Sequence, residues 1–196
     1  MWNHNAHFHS YLLRQCPVTI YRALDVGCGL GVFAQRLAER AEVVDAIDAD
    51  STVVTEAVRG SAAPNVHYLA ADFLEADLPE DAYDVIVVIA SLHHMNLEAA
   101  LAKMKTLLRS SGTLIILGLY REATLTDYAY SAISIPLNYV YLSWHQSSRQ
   151  NSTVAAPTRS ADSSLDQIRV QAKLILPNFQ LRRHLFWRYS LIWDKP

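Results

Sequence analysis

The feature that most constrains this chain of 196 residues is a glycine-rich stretch near its start, Ala23–Ala34. Ala23 to Val26 is apolar apart from Asp25, which is typical of a strand covered on both faces. Apolar residues recur at helical spacing from Leu30, so a helix begins soon afterwards. Strand, glycine turn and helix N-terminus together form a cradle for a nucleotide-like ligand. Three alternating glycines give the turn its freedom to approach a ligand closely: Gly27, Gly29 and Gly31.

The positions of the glycines distinguish between two classes of nucleotide-binding turn. A dinucleotide-binding turn, G-x-G-x-x-G, needs a glycine where this chain has Val32. The third glycine is instead Gly31, one residue early, and Asp25 precedes the first glycine by two positions. The pattern D-x-G-x-G-x-G at the end of a first strand resembles motif I of the class I S-adenosylmethionine (SAM)-dependent methyltransferases.

Composition predicts one globular domain spanning 1–196, since this length suits a single core and the sequence contains no repeat or linker. Hydrophobic residues make up 51% of the chain and charged residues 18%, with a formal net charge of −2. The absence of a basic run argues against an extended nucleic-acid surface. The N-terminal residues do not resemble a signal peptide, and Cys16 and Cys28 form no disulfide framework. We therefore expect a cytoplasmic protein without a transmembrane segment.

A second predicted strand, Val43–Ile47, ends in Asp48, which lies 19 residues after Gly29. A carboxylate at this place can accept hydrogen bonds from both ribose hydroxyls of a nucleoside. The alternative is that Asp48 caps the helix predicted from Thr52, a role that Asp50 could fill instead.

A third predicted strand, Asn65–Ala70, leads into Asp72 and Phe73. In the methyltransferases that motif I resembles, an aspartate here accepts a hydrogen bond from the adenine amino group. The following residue lines the adenine pocket. The resemblance therefore implies that Asp72 and Phe73 form the adenine site.

The run Val85–Ile89 is nearly all β-branched, which predicts a central parallel strand. Open α/β sheets bind ligands at the carboxyl ends of such strands, here at Ala90 and the residues after it. His93 and His94 follow, and either could act as a general base or simply hold the loop in place.

The resemblance implies that SAM is the cofactor and S-adenosylhomocysteine (SAH) the product. Three N-terminal histidines have no nearby acidic or cysteine partner, so no metal site is predicted: His4, His7 and His9. The implied cofactor-binding residues all lie at the carboxyl ends of predicted strands: Asp25, Gly27, Cys28, Gly29, Gly31, Asp48, Ala49, Asp72, Phe73 and Ala90.

Two segments are predicted to lie outside the alternating strands and helices. Residues 1–20 form either an edge helix or a flap that closes over the cofactor. Residues 121–161 read as a helical lid after the fifth strand, where this fold usually covers its substrate. The apolar, tyrosine-rich part, Tyr128–Trp144, could instead be core, a homodimer face or a membrane-contacting surface.

Alternating strands and helices from about residue 21 predict a doubly wound α/β sheet. A helix is expected over Leu97–Arg109 and a fifth strand over Thr113–Leu119. A C-terminal hairpin should place Arg182, Arg183 and Arg188 at edge and solvent positions. The resemblance adds a seven-stranded, mostly parallel sheet of order 3-2-1-4-5-7-6, with strand 7 antiparallel and helices on both faces.

These features predict SAM-dependent methyl transfer to a small-molecule acceptor by in-line displacement. Within methyltransferases, RNA or protein acceptors remain alternatives. A nicotinamide-dependent oxidoreductase shares the fold class, but the third glycine is misplaced for it. A non-catalytic SAM-binding accessory protein is the remaining interpretation.

Overall fold

The computed structural model describes residues 4–124, 127 and 163–196. Most of the predicted lid over 121–161, including Tyr128–Trp144, lies outside these residues. No helix in the described ranges is both long and apolar enough to cross a membrane. The helices are α1 (His4–Gln15), α2 (Val32–Ala38), α3 (Ser51–Gly60), α4 (Leu97–Leu107) and α5 (Leu165–Ile175). The strands are β1 (Ile20–Val26), β2 (Ala41–Asp48), β3 (Val66–Ala70), β4 (Tyr83–Ile89), β5 (Leu108–Leu119), β6 (Gln180–Arg183) and β7 (Arg188–Asp194).

The seven strands form one sheet in the order β3-β2-β1-β4-β5-β7-β6. Strands β1 to β5 pair in parallel, whereas β7 runs antiparallel to both β5 and β6. The predicted sheet order and the antiparallel seventh strand are confirmed. Because β1 and β4 are central and parallel, their carboxyl ends meet at one edge of the sheet, as the site requires.

Helices cover both faces of the sheet, as predicted. Alternate residues of β4 enter two separate cores, with Ile86 and Val88 in one and Val85 and Val87 in the other. The first core is closed by residues of α4 and α5, the second by residues of α1 and α2. Burial on both faces explains why β4 reads as an uninterrupted apolar run.

The predicted boundary between the fourth helix and the fifth strand is wrong. Helix α4 ends at Leu107, and Leu108 already pairs with Tyr83 of β4. The cause is the buried carboxylate of Asp84, only 1% exposed, which forms an ion pair with Arg109. Its Oδ2 also accepts hydrogen bonds of 2.7 Å from the backbone amides of Tyr21 and Arg22. Desolvating a carboxylate is costly unless it is paired, so Arg109 joins the strand rather than the helix.

The expectation that Arg188 lies in solvent is also wrong. Its side chain is 9% exposed, and a guanidinium nitrogen donates a hydrogen bond of 3.2 Å to the carbonyl of Phe186. Burial lowers the pKa of Arg188 to about 10. The first four residues of β7, Arg188 to Leu191, are all buried, so both faces of the strand are covered there, which the charge of Arg188 did not indicate. Arg183 is mostly buried as well and forms an ion pair with Asp127, whereas Arg182 is exposed as predicted.

Candidate functional site

The glycine turn after β1 is held against the end of β2. The backbone amides of Gly27 and Cys28 both donate to the carbonyl of Ile47, at 2.8 and 3.1 Å. Gly27, Gly29 and Gly31 have φ angles of 71°, 54° and 71°, in the left-handed region that favours glycine. The turn therefore joins the carboxyl ends of β1 and β2 and places Asp48 next to it.

The three glycines serve two different purposes. A β-carbon at Gly27 would lie 2.2 Å from the β-carbon of Ser91, and one at Gly31 would lie 2.2 Å from the hydroxyl of Tyr68. A β-carbon at Gly29 would meet no atom within 4 Å. Gly27 and Gly31 are thus required by packing within the protein, whereas Gly29 faces open space where a ligand can approach its backbone.

Asp48 turns its carboxylate towards the glycine turn. Its Oδ2 accepts a hydrogen bond of 2.9 Å from the amide of Gly29, and its Oδ1 accepts one of 3.0 Å from the amide of Asp50. The cap of α3 is Asp50, which accepts from the amides of Thr52 and Val53. Asp48 is therefore not needed as a helix cap, and each oxygen keeps a lone pair for a ligand hydroxyl.

A second carboxylate lies beneath the first. Asp25 is 2% exposed, and among the described residues its Oδ2 has no hydrogen-bond partner. Burial, followed by the charge of Asp48, raises the pKa of Asp25 to about 7. Two neighbouring carboxylates, one of them buried and incompletely bonded, favour a positively charged ligand. SAM carries a sulfonium and an ammonium group, so the residues present fit this cofactor.

The loop after β3 is tied to the same edge of the sheet. The amide of Ala71 donates to the carbonyl of Asp48 at 3.0 Å, and Oδ1 of Asp72 accepts from the amide of Leu74 at 2.7 Å. Asp72 is exposed, whereas the ring of Phe73 is 3% exposed and belongs to the core. A ligand can therefore meet the carboxylate of Asp72 but only the backbone of Phe73.

The loop after β4 packs directly on the glycine turn. Ala90 has a φ of 52° and donates its amide to the carbonyl of Leu117 at 2.7 Å. The hydroxyl of Ser91 then donates to the carbonyl of Val26 at 2.7 Å. Sequence reasoning missed Ser91, and its one available signal was a small polar residue directly after the central strand.

A short 3₁₀ turn, Leu92–His94, carries both candidate histidines. The rings of His93 and His94 lie 4.1 Å apart between centroids, with His93 half-buried and His94 exposed. Both line a cavity of about 430 Å³ at the carboxyl ends of β4 and β5. The remaining described lining includes Asn96, Leu119, Gln171 and Tyr189.

Cys28 and Ala49 complete the predicted set. Burial, with a smaller contribution from Asp25, raises the pKa of the Cys28 thiol well above its usual range. A protonated, half-buried thiol is a poor nucleophile, so only the backbone of Cys28 is available for the site. Ala49 is exposed directly after Asp48.

Helix α1 begins at this same edge of the sheet. The ring of His9 lies 5.0 Å from that of Phe33 in α2, and the ring of His7 lies 6.2 Å from that of Phe186. Burial, followed by the charge of Arg36, lowers the pKa of His9 to about 4. His9 is thus a neutral packing residue. Within the described ranges, no cluster of three His, Cys, Asp or Glu side chains could hold a metal ion.

Comparison with known proteins agrees with this geometry. Residues 23–112 match the family model described as a methyltransferase domain. Uncharacterized methyltransferases of Mycobacterium tuberculosis and Mycobacterium bovis are each 31% identical over 203 residues, covering 100% of this chain and 98% of the relative.

Two solved structures show the same fold. A SAM-dependent methyltransferase from Aquifex aeolicus has a TM-score of 0.66 at 16% identity, covering 96% of this chain and 89% of its own. The N-methyltransferase NodS from Bradyrhizobium japonicum, solved with SAH, has a TM-score of 0.67 at 17% identity. That match covers 97% of this chain and 87% of NodS.

Proposed function

Since this chain belongs to the class I SAM-dependent methyltransferase family, we propose that it methylates a small-molecule acceptor bound against the loop after β4. The observation that carries the choice of acceptor is the cavity of about 430 Å³ beside His93 and His94. Pockets of roughly 300–1,000 Å³ suit small organic ligands. Membership of this family also argues against the nicotinamide-dependent interpretation.

The cofactor is SAM, which supplies a methyl group already activated by its sulfonium. Three parts of this chain would hold it. The carboxylate of Asp48 accepts from the ribose hydroxyls, and the exposed carboxylate of Asp72 accepts from the adenine amino group. The backbone at Gly29, which no side chain covers, lies against the part of the ligand nearest the turn. Asp25 and Asp48 favour the positive charge of the cofactor.

The protein's own contribution to the reaction is to align the acceptor with the methyl group and to exclude water. The contact between Ser91 and Val26 holds the cavity wall at a constant distance from the glycine turn. An acceptor in the cavity therefore lies on the side of the turn away from Asp48. If the accepting atom carries a proton of high pKa, His93 or His94 can remove it, since both imidazoles line the cavity.

Helix α1 packs on the domain through Phe8, Leu12 and Leu13, and its first turns also fit the alternative role of a cover over the cofactor. The hydroxyls of Tyr11 and Ser190 lie 3.2 Å apart, which attaches α1 to β7. Its first turns reach the carboxyl edge of the sheet through His7 and His9, beside the site. The described part of this segment would then lie over the cofactor side of the site, beside the glycine turn.

The proposal is tested first by isothermal titration of the purified protein with SAM and SAH. Methyl transfer from radiolabelled SAM is then followed in a cell extract separated into small-molecule, protein and RNA fractions. We expect the label in the small-molecule fraction. Label confined to RNA or protein would overturn the proposed acceptor class, and failure of both ligands to bind at millimolar concentration would overturn the site.

A further inference from the structure

Lys103 reaches from α4 to the loop that follows β3. Its ammonium nitrogen donates to the carbonyl oxygen of Leu74 at 2.9 Å and to that of Ala76 at 2.6 Å. The same nitrogen lies 5.4 Å from the centre of the Phe73 ring. One half-buried cation therefore contacts three of the residues that follow Asp72.

These residues form a single turn that begins at Asp72. The amides of Glu75 and Ala76 donate to the carbonyl of Asp72 at 3.2 and 2.9 Å, and the amide of Leu74 donates to its carboxylate. The carbonyls at the far end of such a turn have no partner within it. Lys103 supplies a partner to two of them through charge-assisted hydrogen bonds, which are about twice as strong as neutral ones.

We propose that Lys103 is a positioning residue for adenine recognition, because it holds the turn over residues 72–76 in the one orientation that presents Asp72 and the Phe73 backbone to the base. This inference rests on the adenine role assigned to Asp72 under the proposed function, and on the place beside it that the family resemblance implies for Phe73. The ring of Phe73 packs in the core and lies 5.4 Å from the ammonium nitrogen of Lys103, so both contacts favour one orientation of the turn.

The proposed contact distinguishes adenine from hypoxanthine by polarity. The carboxylate of Asp72 offers an acceptor to the adenine amino group. Hypoxanthine carries a carbonyl in place of that amino group, so the two oxygens would repel each other. A correctly held turn should therefore reject S-inosylhomocysteine in favour of SAH, whereas a loosened turn should discriminate less.

Lys105 provides a matched control on the same helix. It is half-buried like Lys103, and its ammonium nitrogen donates to the carbonyl of Ile175 at 2.9 Å. That carbonyl belongs to α5, not to the loop after β3. Replacement of either lysine by methionine removes a charge and its bonds to backbone carbonyls, but only Lys103→Met acts on the turn over residues 72–76.

The experiment is isothermal titration of SAH and S-inosylhomocysteine against the wild type, Lys103→Met, Lys105→Met and Lys103→Arg. We expect Lys103→Met to weaken SAH binding about tenfold and to reduce the preference for SAH by a similar factor. Lys105→Met should keep both values within about twofold. Lys103→Arg retains a cation with several donors and should keep most of the preference.

Thermal denaturation of the same variants separates positioning from general stability. If Lys103→Met lowers the melting temperature while the ratio of the two dissociation constants stays at its wild-type value, Lys103 is only structural and the inference is overturned. The proposed function survives that result, since SAH still binds. If the wild type binds neither ligand, or binds both equally, the adenine site itself is wrong and the inference is overturned with it.

Discussion

The hydroxyl oxygen of Ser91 lies 2.7 Å from the carbonyl oxygen of Val26 and donates a hydrogen bond to it, which joins the ends of β4 and β1. The β-carbon of Ser91 occupies the space that a side chain at Gly27 would need. The two central strand ends therefore form one unit. The glycine turn lies on one side of this unit, and the loop that carries His93 and His94 lies on the other.

Gly27→Ala should destabilise the protein strongly. The new methyl group would lie 2.2 Å from the β-carbon of Ser91, at a residue with a φ of 71°. The left-handed backbone costs about 1–2 kcal/mol, and forcing a methyl group into packed space costs about 1–3 kcal/mol more. Chemical denaturation measures the loss. Compared with Ser91→Gly alone, the double variant Gly27→Ala, Ser91→Gly should show only the backbone cost, since the clash is gone in both and both lack the hydrogen bond to Val26. An unchanged unfolding free energy in Gly27→Ala would contradict this account.

Gly29→Ala should affect the cofactor more than the fold. No atom lies within 4 Å of the added β-carbon, so only the backbone cost of about 1–2 kcal/mol is expected in the unfolding free energy. The methyl group enters the space assigned to SAM, and titration should show binding weakened at least about tenfold.

Gly31→Ala is the contrasting variant for Gly29→Ala. Its β-carbon would meet the ring of Tyr68, so its main effect should be on folding. Removal of that ring in Gly31→Ala, Tyr68→Ala should relieve the clash. If Gly29→Ala bound SAM as tightly as the wild type, the assignment of this space to the cofactor would be wrong.

The raised pKa of Asp25 predicts a specific pH dependence of stability. Its pKa is about 7 in the folded chain, against an ordinary value of 3.8. Between these two values the folded protein holds a proton that the unfolded chain has released, so this group's contribution to stability falls as the pH rises through that window. Asp25→Asn removes the contribution.

The difference in unfolding free energy between Asp25→Asn and the wild type should therefore shift in favour of the variant from about pH 4 to about pH 8. Denaturation in the absence of ligand at several pH values measures this difference. A difference that stays constant with pH would show that Asp25 is ionised normally in the folded chain. Comparing the two proteins removes the contribution of the titrating groups that do not interact with Asp25.

Asp84 and Arg109 should respond unequally to substitution. Asp84→Ala leaves the amides of Tyr21 and Arg22 without their acceptor and should cost about 3–5 kcal/mol. The side chain of Arg109 is 51% exposed, so solvent replaces much of what Arg109→Ala removes, and the cost should be nearer 1 kcal/mol. Chemical denaturation measures the unfolding free energy of each variant. If Asp84→Ala and Arg109→Ala lost the same amount, Asp84 would not be the centre of this contact.

The elements that follow from local sequence were predictable. The turn at Gly27 and Gly29 requires positive φ angles, and the apolar run of β4 requires burial on both faces, so neither depends on distant residues. The order of the sheet came from the family resemblance, because periodicity alone does not give strand order. Of the proposed site, the carboxylate of Asp48 was predicted from its spacing after the glycines, and the structure places it beside the glycine turn.

What could not be predicted depends on partners distant in sequence. Ser91 gains its role only because Val26 lies beside it, 65 residues earlier. Arg109 leaves its expected helix because it forms an ion pair with Asp84, a buried carboxylate on another strand that the local sequence around Arg109 does not indicate. Arg188 was expected in solvent because arginine side chains are usually exposed, and nothing in its local sequence indicates that the start of β7 is buried.

The two histidines after β4 can be separated by paired substitutions. If the acceptor loses a proton to this loop, one of His93→Asn and His94→Asn should lower kcat about 100-fold or more, while the dissociation constant for SAM stays at its wild-type value. The other should leave kcat within a few fold. Asparagine retains hydrogen-bonding capacity, so loss of loop packing is kept small.

These variants are compared by single-turnover methyl transfer measured across pH. The acceptor is the one found in the labelled fraction. The variant that lacks the base should lose the part of the pH–rate profile that belongs to its imidazole, which a change in packing alone would not do. If both variants keep kcat within about threefold and the wild-type profile, neither His93 nor His94 is the base. Alignment and exclusion of water would then account for the rate.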